Sequence, residues 1–349
     1  MSEWKTYKLG DVVDMRNGKK RPKEAGNFPV YGGNGILDYT NQYNAENVIV
    51  VGRVGAYCGS VYRCKQKCWV SDNAICVKSK PIIDDNFLFY LMSSLDFHHF
   101  HIGGAQPLMT QDIIGSFEIS IPSLAEQKSI ADILSAIDDK IELNRRINAN
   151  LEQQAQALYR SWFVDNKKDD WEKKRLDDII SIYDSQRRPL SGQQREKMEK
   201  IYPYYGAASL MDYVDNYLFD GIYLLLGEDG TVSDSEGFPM LQYVWGKFWV
   251  NNHAHILQGK NGFTTESLYI LLKQTNVSSI VTGAVQPKIS QANLKSVPIT
   301  MPPINLLNQY NNIIKPIFNQ IRINHNQIQQ LSTLRDTLLP KLMSGEITI

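Results

Sequence analysis

The stretch GGAQPLMTQDIIGSFEISIP, residues 103–122, is written twice in this chain. Residues 282–302 read TGAVQPKISQANLKSVPITMP, so Gly103, Gln106, Pro107, Gln111, Ile119 and Pro122 return as Gly283, Gln286, Pro287, Gln291, Ile299 and Pro302, each pair 180 positions apart. Gly-Gly and Gln-Pro punctuate a loop, and the residues after it read as a short helix and a strand. The repetition reaches outward from there. WKTYKLGDVV (4–13) answers to WEKKRLDDII (171–180) at an offset of 167, and FPVYGGNGILDY (28–39) to YPYYGAASLMDY (202–213) at 174. IVVGRVG (49–55) answers to LLLGEDG (224–230) at 175, and WVSDNAICV (69–77) to WVNNHAHIL (249–257) at 180. A fixed order with a rising offset describes two diverged copies of one domain, separated by loop insertions. Short β-branched and aromatic segments bounded by Gly, Asn and Asp predict strands, while NFLFYLM (86–92) and ESLYILLKQ (266–274) carry the denser apolar spacing of a short helix. Each copy is therefore predicted to mix α and β, with no strand order derivable.

The segment after each copy differs in kind. Residues 124–165 contain neither Gly nor Pro. Alternating steps of four and three from Ile130 give Leu134, Ile137, Ile141, Asn144, Asn148, Leu151, Ala155, Leu158 and Trp162, a 3.5-residue seam interrupted by two asparagines. From Ile314 the same stepping gives Ile317, Ile321, Asn324, Ile328, Leu331, Arg335, Leu338 and Leu342, and Pro316 and Pro340 predict a break or bend near either end of that seam. A helix of about 40 residues is roughly 60 Å long, and one apolar stripe leaves it unstable alone in water. The two are expected to pair. The fold class is accordingly α+β: two homologous mixed α/β domains separated by two long antiparallel, coiled-coil helices in a pseudo-two-fold arrangement. The predicted divisions are 1–123, 124–165, 166–303 and 304–349.

Length and composition agree with two domains, since 349 residues at 43% hydrophobic and 21% charged exceed what one core usually organises. The apolar runs NVIVVG and GIYLLLG are too short to cross a bilayer, and MSEWKTYKLGD lacks an apolar signal core, so no membrane association and a cytoplasmic location are expected. A net charge of zero hides local segregation. Between Arg53 and Lys80 stand Arg53, Arg63, Lys65, Lys67, Lys78 and Lys80 against Asp72 alone, and Lys19, Lys20, Arg21 and Lys23, like Arg187 and Arg188, lie early in their copies. Such segregation suits a polyanion on one face.

Candidate contacts for such a polyanion, with DNA as the case in view, are Lys19, Lys20, Arg21, Arg53, Arg63, Lys65, Gln106, Arg187, Arg188, Gln286 and Lys288. The two glutamines either offer an amide to adenine or close a turn and cap the short helix begun at Thr110 or Ser290. Tyr31 and Tyr205 either touch DNA or fill the core. Cys58, Cys64, Cys68 and Cys76 lack the close pairs of a zinc site and read as reduced, structural thiols, and His98, His99 and His101 lack an accompanying carboxylate cluster, so no metal is expected. No methyltransferase tetrapeptide, dinucleotide or phosphate loop, or nuclease signature is found, and neither catalytic residues nor a bound cofactor are expected. A coiled-coil scaffold bridging two protein-binding domains and a stand-alone DNA methyltransferase are the alternatives, the second disfavoured by the missing cofactor motif.

SIPSLAEQKSIADILSAIDDKIELN at the start of the first helix, ALYRSWFVD at its end and LRDTLLPKLMSGEI near the chain's end, combined with the duplicated GxxQP domain, resemble the specificity subunits of type I restriction-modification systems over essentially the full length. The second copy departs from the pattern, with PPINLLNQYNNII keeping Gln309 but placing Asn308 where the first has Glu126. The resemblance implies that each copy is a target recognition domain reading half of a bipartite double-stranded DNA site. It implies that the helices set the spacer and dock two methyltransferase subunits, which hold S-adenosylmethionine and methylate adenine. It implies further restriction subunits that use ATP and Mg. This chain would be the non-catalytic, DNA-binding member of that protein complex.

Overall fold

The computed structural model describes residues 4–102, 107–283, 285–347 and 349. It divides into two compact units, Met1–Arg145 with Asn326–Ile349, and Arg146–His325. Unit 1 begins with β1 (Lys5–Lys8), a single turn α1 (Leu9–Val12), β2 (Val13–Asn17), β3 (Ala25–Gly32), β4 (Gly35–Thr40), β5 (Ala45–Gly52), β6 (Val61–Val70) and β7 (Ala74–Ser79). It continues through α2 (Asp85–Ser94), α3 (Gln111–Ser116) and β8 (Glu118–Ile121). Six strands form one sheet in the order β2-β7-β5-β6-β3-β4, and β1 pairs with β8. After α4 (Leu124–Tyr159) come β9 (Glu172–Arg175), β10 (Ile180–Ile182), α5 (Gly192–Glu196), β11 (Tyr202–Tyr205), β12 (Leu210–Val214), β13 (Phe219–Gly227), β14 (Leu241–Val250), β15 (Ala254–Gly259), α6 (Thr265–Lys273), α7 (Gln291–Ser296), β16 (Pro298–Met301) and α8 (Ile304–Met343). Unit 2 repeats the topology, β10-β15-β13-β14-β11-β12, with β9 on β16.

The identity extends to register. All neighbours are antiparallel except β3 with β6 and β11 with β14, where Val30 meets Trp69 and Tyr31 meets Val70 in one unit, and Tyr204 meets Trp249 and Tyr205 meets Val250 in the other. The predicted short helices are α2 and α6, capped by Asp84 and Thr264. Tyr31 is buried, its hydroxyl donating to the Arg63 carbonyl, and burial first, then the neighbouring Cys64, pushes that hydroxyl up to about 12. Tyr205 packs edge-on against Phe248. Both tyrosines thus serve the core.

The helical stretch predicted for 124–165 is α4 followed by one π-helical turn, Arg160–Asp165. No residue of the predicted α4 seam is exposed, and none of the α8 seam is. In unit 1, Ile130, Ala131, Leu134, Leu342 and Met343 complete the core beneath α2 and α3, and Arg335 donates to Asp138 at 2.8 Å. In unit 2, Ala155, Tyr159, Leu307, Tyr310, Ile314 and Phe318 do the same, and the Tyr310 hydroxyl donates to the Ala155 carbonyl at 2.9 Å. Within each unit the α8 partner number falls as the α4 number rises, so the helical segments run antiparallel. Each domain core therefore includes a stretch of both helices, which is why the compact units cut across the helices and do not end where the helices begin.

Two expectations need correction. α8 runs unbroken through Pro316 and Pro340. Both prolines are exposed, as are Asn312 and Asp336 four residues before them, so water can satisfy the carbonyls those rings leave unpaired. The motif glutamines, in turn, are not equivalent. Gln127 is buried, donating to the carbonyls of Pro122 (2.9 Å) and Ile82 (3.3 Å) and accepting from the Asp84 N–H (2.8 Å). Gln309 is exposed, and the buried position 180 residues on is Leu307. Asn311 takes over the task one turn later, donating to the Gly262 carbonyl at 2.7 Å.

Candidate nucleic-acid interface

The turn of the opening repeat is clamped to the loop after the central strand. In unit 1, Arg53 N–H donates to the Asn73 carbonyl (2.9 Å), Met109 N–H to the Arg53 carbonyl (2.8 Å) and Gly55 N–H to the Pro107 carbonyl (3.1 Å), while Leu108 bridges Val54 and Ile102. In unit 2, Glu228 N–H donates to the His253 carbonyl (2.8 Å), Ile289 N–H to the Glu228 carbonyl (2.8 Å) and Gly230 N–H to the Pro287 carbonyl (3.0 Å), while Lys288 bridges Asp229 and Thr282. Bond for bond the frame is the same. A fixed backbone at residue 53 or 228 fixes where its side chain starts, which sequence reading requires.

Two further elements converge on this edge in each unit. The β3–β4 hairpin abuts the loop: a Cβ on Gly52 would lie 2.9 Å from the Gly33 carbonyl and 2.2 Å from that of Tyr57, so only glycine fits. In unit 2 a Cβ on Gly227 would meet Thr231 O at 2.9 Å and Ala207 O at 3.3 Å. The basic segments are pinned by the tryptophan that precedes the turn, Trp69 Nε1 donating to the Lys19 carbonyl (3.1 Å) and Trp249 Nε1 to the Arg188 carbonyl (2.6 Å). Hairpin, loop, turn and cationic segment thus meet at one place in each unit.

The predicted contact residues separate into groups. Lys19, Lys20, Arg21 and Arg188 are exposed at that edge, with Arg21 3.6 Å from Asp38. Arg53 sits on the clamped loop, and the one contact of its guanidinium among the described residues is the Asp72 carbonyl at 3.4 Å. Lys288 is on the turn, 3.3 Å from Glu228. Gln286 is exposed, and the cap of α7 is the Ser290 hydroxyl, which accepts from Asn293 N–H, as the Thr110 hydroxyl accepts from Ile113 N–H at α3. Gln106 lies outside the described residues. Arg63 is half-buried over the Phe89 ring, its burial lowering its pKa, and Lys65 faces Asp139 at 3.7 Å. Neither is part of the clamp.

Arg187 corrects the expectation of a free cation. Its side chain is 14% exposed and bonded to Glu228 (2.5 Å), the Asn252 and Ala254 carbonyls, and, at 3.5 Å, Asp184. His255, fully buried, faces Asp184 through Nδ1 (2.6 Å) and the Ile289 carbonyl through Nε2 (2.8 Å). Gln291 donates to Asp184 at 2.6 Å, and Ile256 N–H at 2.9 Å. Burial alone would raise the Asp184 carboxyl, yet the hydrogen bond and charge of His255, Ile256 N–H and Arg187 hold it below its ordinary value. Glu228 is held low in the same way, against its burial, by Arg187, His255 and Lys288. Ligand atoms of Asp184, Glu228 and His255 lie within 4.8 Å of one another, but the Arg187 guanidinium, paired with both carboxylates, already supplies positive charge where a metal would bring it. Unit 1 has Asn17, Arg53 and Ile75 at the matching positions, with Gln111 bonded to Asn17 at 3.0 Å. The sequence signal for this network is confined to the repeat offsets, on which Asn17/Asp184, Gln111/Gln291 and Ile75/His255 all fall.

Residues 1–153 and 168–333 match the family model described as the type I restriction modification DNA specificity domain. The type I restriction enzyme MjaIX specificity subunit of Methanocaldococcus jannaschii is 28% identical over 312 residues, 77% of this chain and 71% of that relative. A Haemophilus influenzae protein described as a type I restriction enzyme specificity subunit is 35% identical over 133 residues, 38% of this chain, and the match spans about a third of that relative's length (34%). The crystal structure of a type I restriction-modification S subunit from M. genitalium superposes with a TM-score of 0.63 at 19% identity, covering 98% of this chain and 96% of that one, which shows a shared fold.

Proposed function

This chain belongs to the type I restriction modification DNA specificity family, and we propose that it is the sequence-reading subunit of a multisubunit complex, each unit recognising half of an asymmetric bipartite DNA site. The observation that carries this is one clamped frame built twice with different side chains on its loop and turn: Arg53 against Glu228, and Leu108 against Lys288. Exposed lysines and arginines at the same edge supply sequence-independent affinity through phosphates, and the differing side chains supply specificity through base edges. Arg53 suits guanine, whose O6 and N7 accept a guanidinium fork. In unit 2 the turn itself carries a cation, Lys288, steadied by Glu228.

The helices α4 and α8 set the spacer and dock two methyltransferase subunits, which bring S-adenosylmethionine and methylate adenine. Restriction subunits bring ATP and Mg. This chain supplies recognition and not chemistry.

Methylome sequencing of cells that carry the chain with its cognate methyltransferase should show one asymmetric motif with two defined halves and an undefined middle. Binding by the purified complex should weaken steeply as salt rises. Methyl transfer by the chain alone, or DNA binding indifferent to salt and sequence, would overturn the proposal.

A further inference from the structure

The hairpin beside each reading loop ends in a half-exposed apolar pair. β4 and β12 are edge strands, and Ile36 and Leu37 are 48% and 45% exposed while Leu210 and Met211, at the same repeat positions, are 41% and 53% exposed. Tyr39 and Tyr213 are exposed beside them. Apolar side chains on both faces of an edge strand invite aggregation and are ordinarily avoided. Both copies keep them while changing the side chains.

The surroundings favour a polyanion. The one carboxylate in each hairpin strand is neutralised, Asp38 by Arg21, and Asp212 by Lys200 at 3.0 Å and Arg195 at 3.6 Å. Lys19, Lys20 and Lys23 are exposed nearby in one unit, Arg188 and Lys197 in the other. The hairpin turn packs on the clamped loop, so the tip lies beside the loop that carries Arg53 in one unit and Glu228 in the other. Ile and Leu carry no group that can bond a base edge, and the Met211 sulfur, a weak acceptor, is already taken by the Asn251 amide at 3.3 Å. In a duplex such side chains can touch a thymine methyl or enter between stacked bases.

Resting on the reading of the units as DNA-binding, we propose that Ile36–Leu37 and Leu210–Met211 act as apolar wedges. Each inserts at a base step of its half-site, unstacks it and bends the duplex. Such wedges bend DNA by roughly 20–90° elsewhere, and the unstacking cost depends on the step entered, which adds specificity where no hydrogen bond is made.

The test uses the full chain in complex with its methyltransferase subunits, on a duplex carrying the motif found by methylome sequencing. Permanganate reactivity of thymines away from the methylated pair reports unstacking, and energy transfer between the duplex ends reports bending. The wild type should show a reactive step in each half and a bent duplex. Ile36→Ser with Leu37→Ser should remove the signal from the first half alone and weaken binding about tenfold, Leu210→Ser with Met211→Ser should do so in the second half, and Leu37→Met should keep both. A straight, fully stacked duplex under sequence-selective wild-type binding would overturn the wedge and leave the reading of function intact. Wild-type binding that weakens when uracil replaces thymine would identify a methyl contact instead. Serine variants that no longer hold the methyltransferase subunits would make the hairpins protein-docking surfaces. Absence of any sequence-selective binding by the wild type would sink the underlying reading.

Discussion

At position 53 the side chain is free to change because the backbone is not. Its N–H and carbonyl are both bonded, to Asn73 and Met109, so Arg53→Ala should leave the fold intact while relaxing recognition at one base pair of the first half-site. The loss of discrimination should be about 1–3 kcal/mol, visible as a degenerate position in the methylome with the second half unchanged. A uniform loss of methylation would make Arg53 a phosphate contact. Asp184 is the opposite case, a residue whose partners cannot do without it. Asp184→Asn leaves Arg187 and His255 undercompensated and should cost unit 2 about 3 kcal/mol, measured by urea unfolding. The pH dependence arises from the same network. Asp184 and Glu228 are held below ordinary values of 3.8 and 4.5, so their contribution is complete above those values and drains as pH falls below them through the folded values. Hydrogen exchange at Ile256 should therefore accelerate below about pH 4 sooner than at the matching Cys76 of unit 1, where Asn17 stands in place of Asp184.

At the scale of elements, the helical seams behave as their spacing predicted, and each seam asparagine finds a partner on the other helix. Asn144 donates to Gln327 at 3.2 Å within unit 1. Within unit 2 Asn148 donates to the Ile321 carbonyl at 3.1 Å and accepts from Asn324 at 2.8 Å. A bond between two seam amides exists in one register only. Replacing Asn148 and Asn324 together by Leu should keep or raise helix stability while admitting slipped pairings, detectable as multiple cross-link products between engineered cysteines. Pro316 is a different matter, because α8 accepts it without interruption. Pro316→Ala restores a helical N–H and should stabilise unit 2 by about 1–3 kcal/mol in urea unfolding, the lower figure reflecting the freer unfolded chain. A loss of stability would mean that the ring itself packs usefully.

For the whole molecule, the proposed ruler makes the length of the helices the quantity to change. Deleting seven residues from each of α4 and α8 removes roughly 10 Å of rise, about three base pairs. Methylome sequencing of that variant should show a shorter spacer between unchanged half-sites, or no methylation; an active complex with the original spacer would refute the ruler.

Repetition made the domain count legible, because one offset series ties matching strands, turns and short helices together, and a 3.5-residue seam marks a long paired helix wherever it occurs. These are local signals, written in consecutive residues. The parallel pairing of β3 with β6 and β11 with β14 was not legible, since strand neighbours are chosen by packing across the sheet. Nor was the fate of Arg187, counted among the free cations until Glu228, 41 residues on, and the carbonyl of Ala254 surrounded it. The opening turn shows the division most clearly. Its sequence determined that the chain holds one recognition scaffold twice; only the tertiary structure brought Pro107 to Gly55 and Pro287 to Gly230, because a clamp between distant segments exists only after both have been folded onto the same sheet.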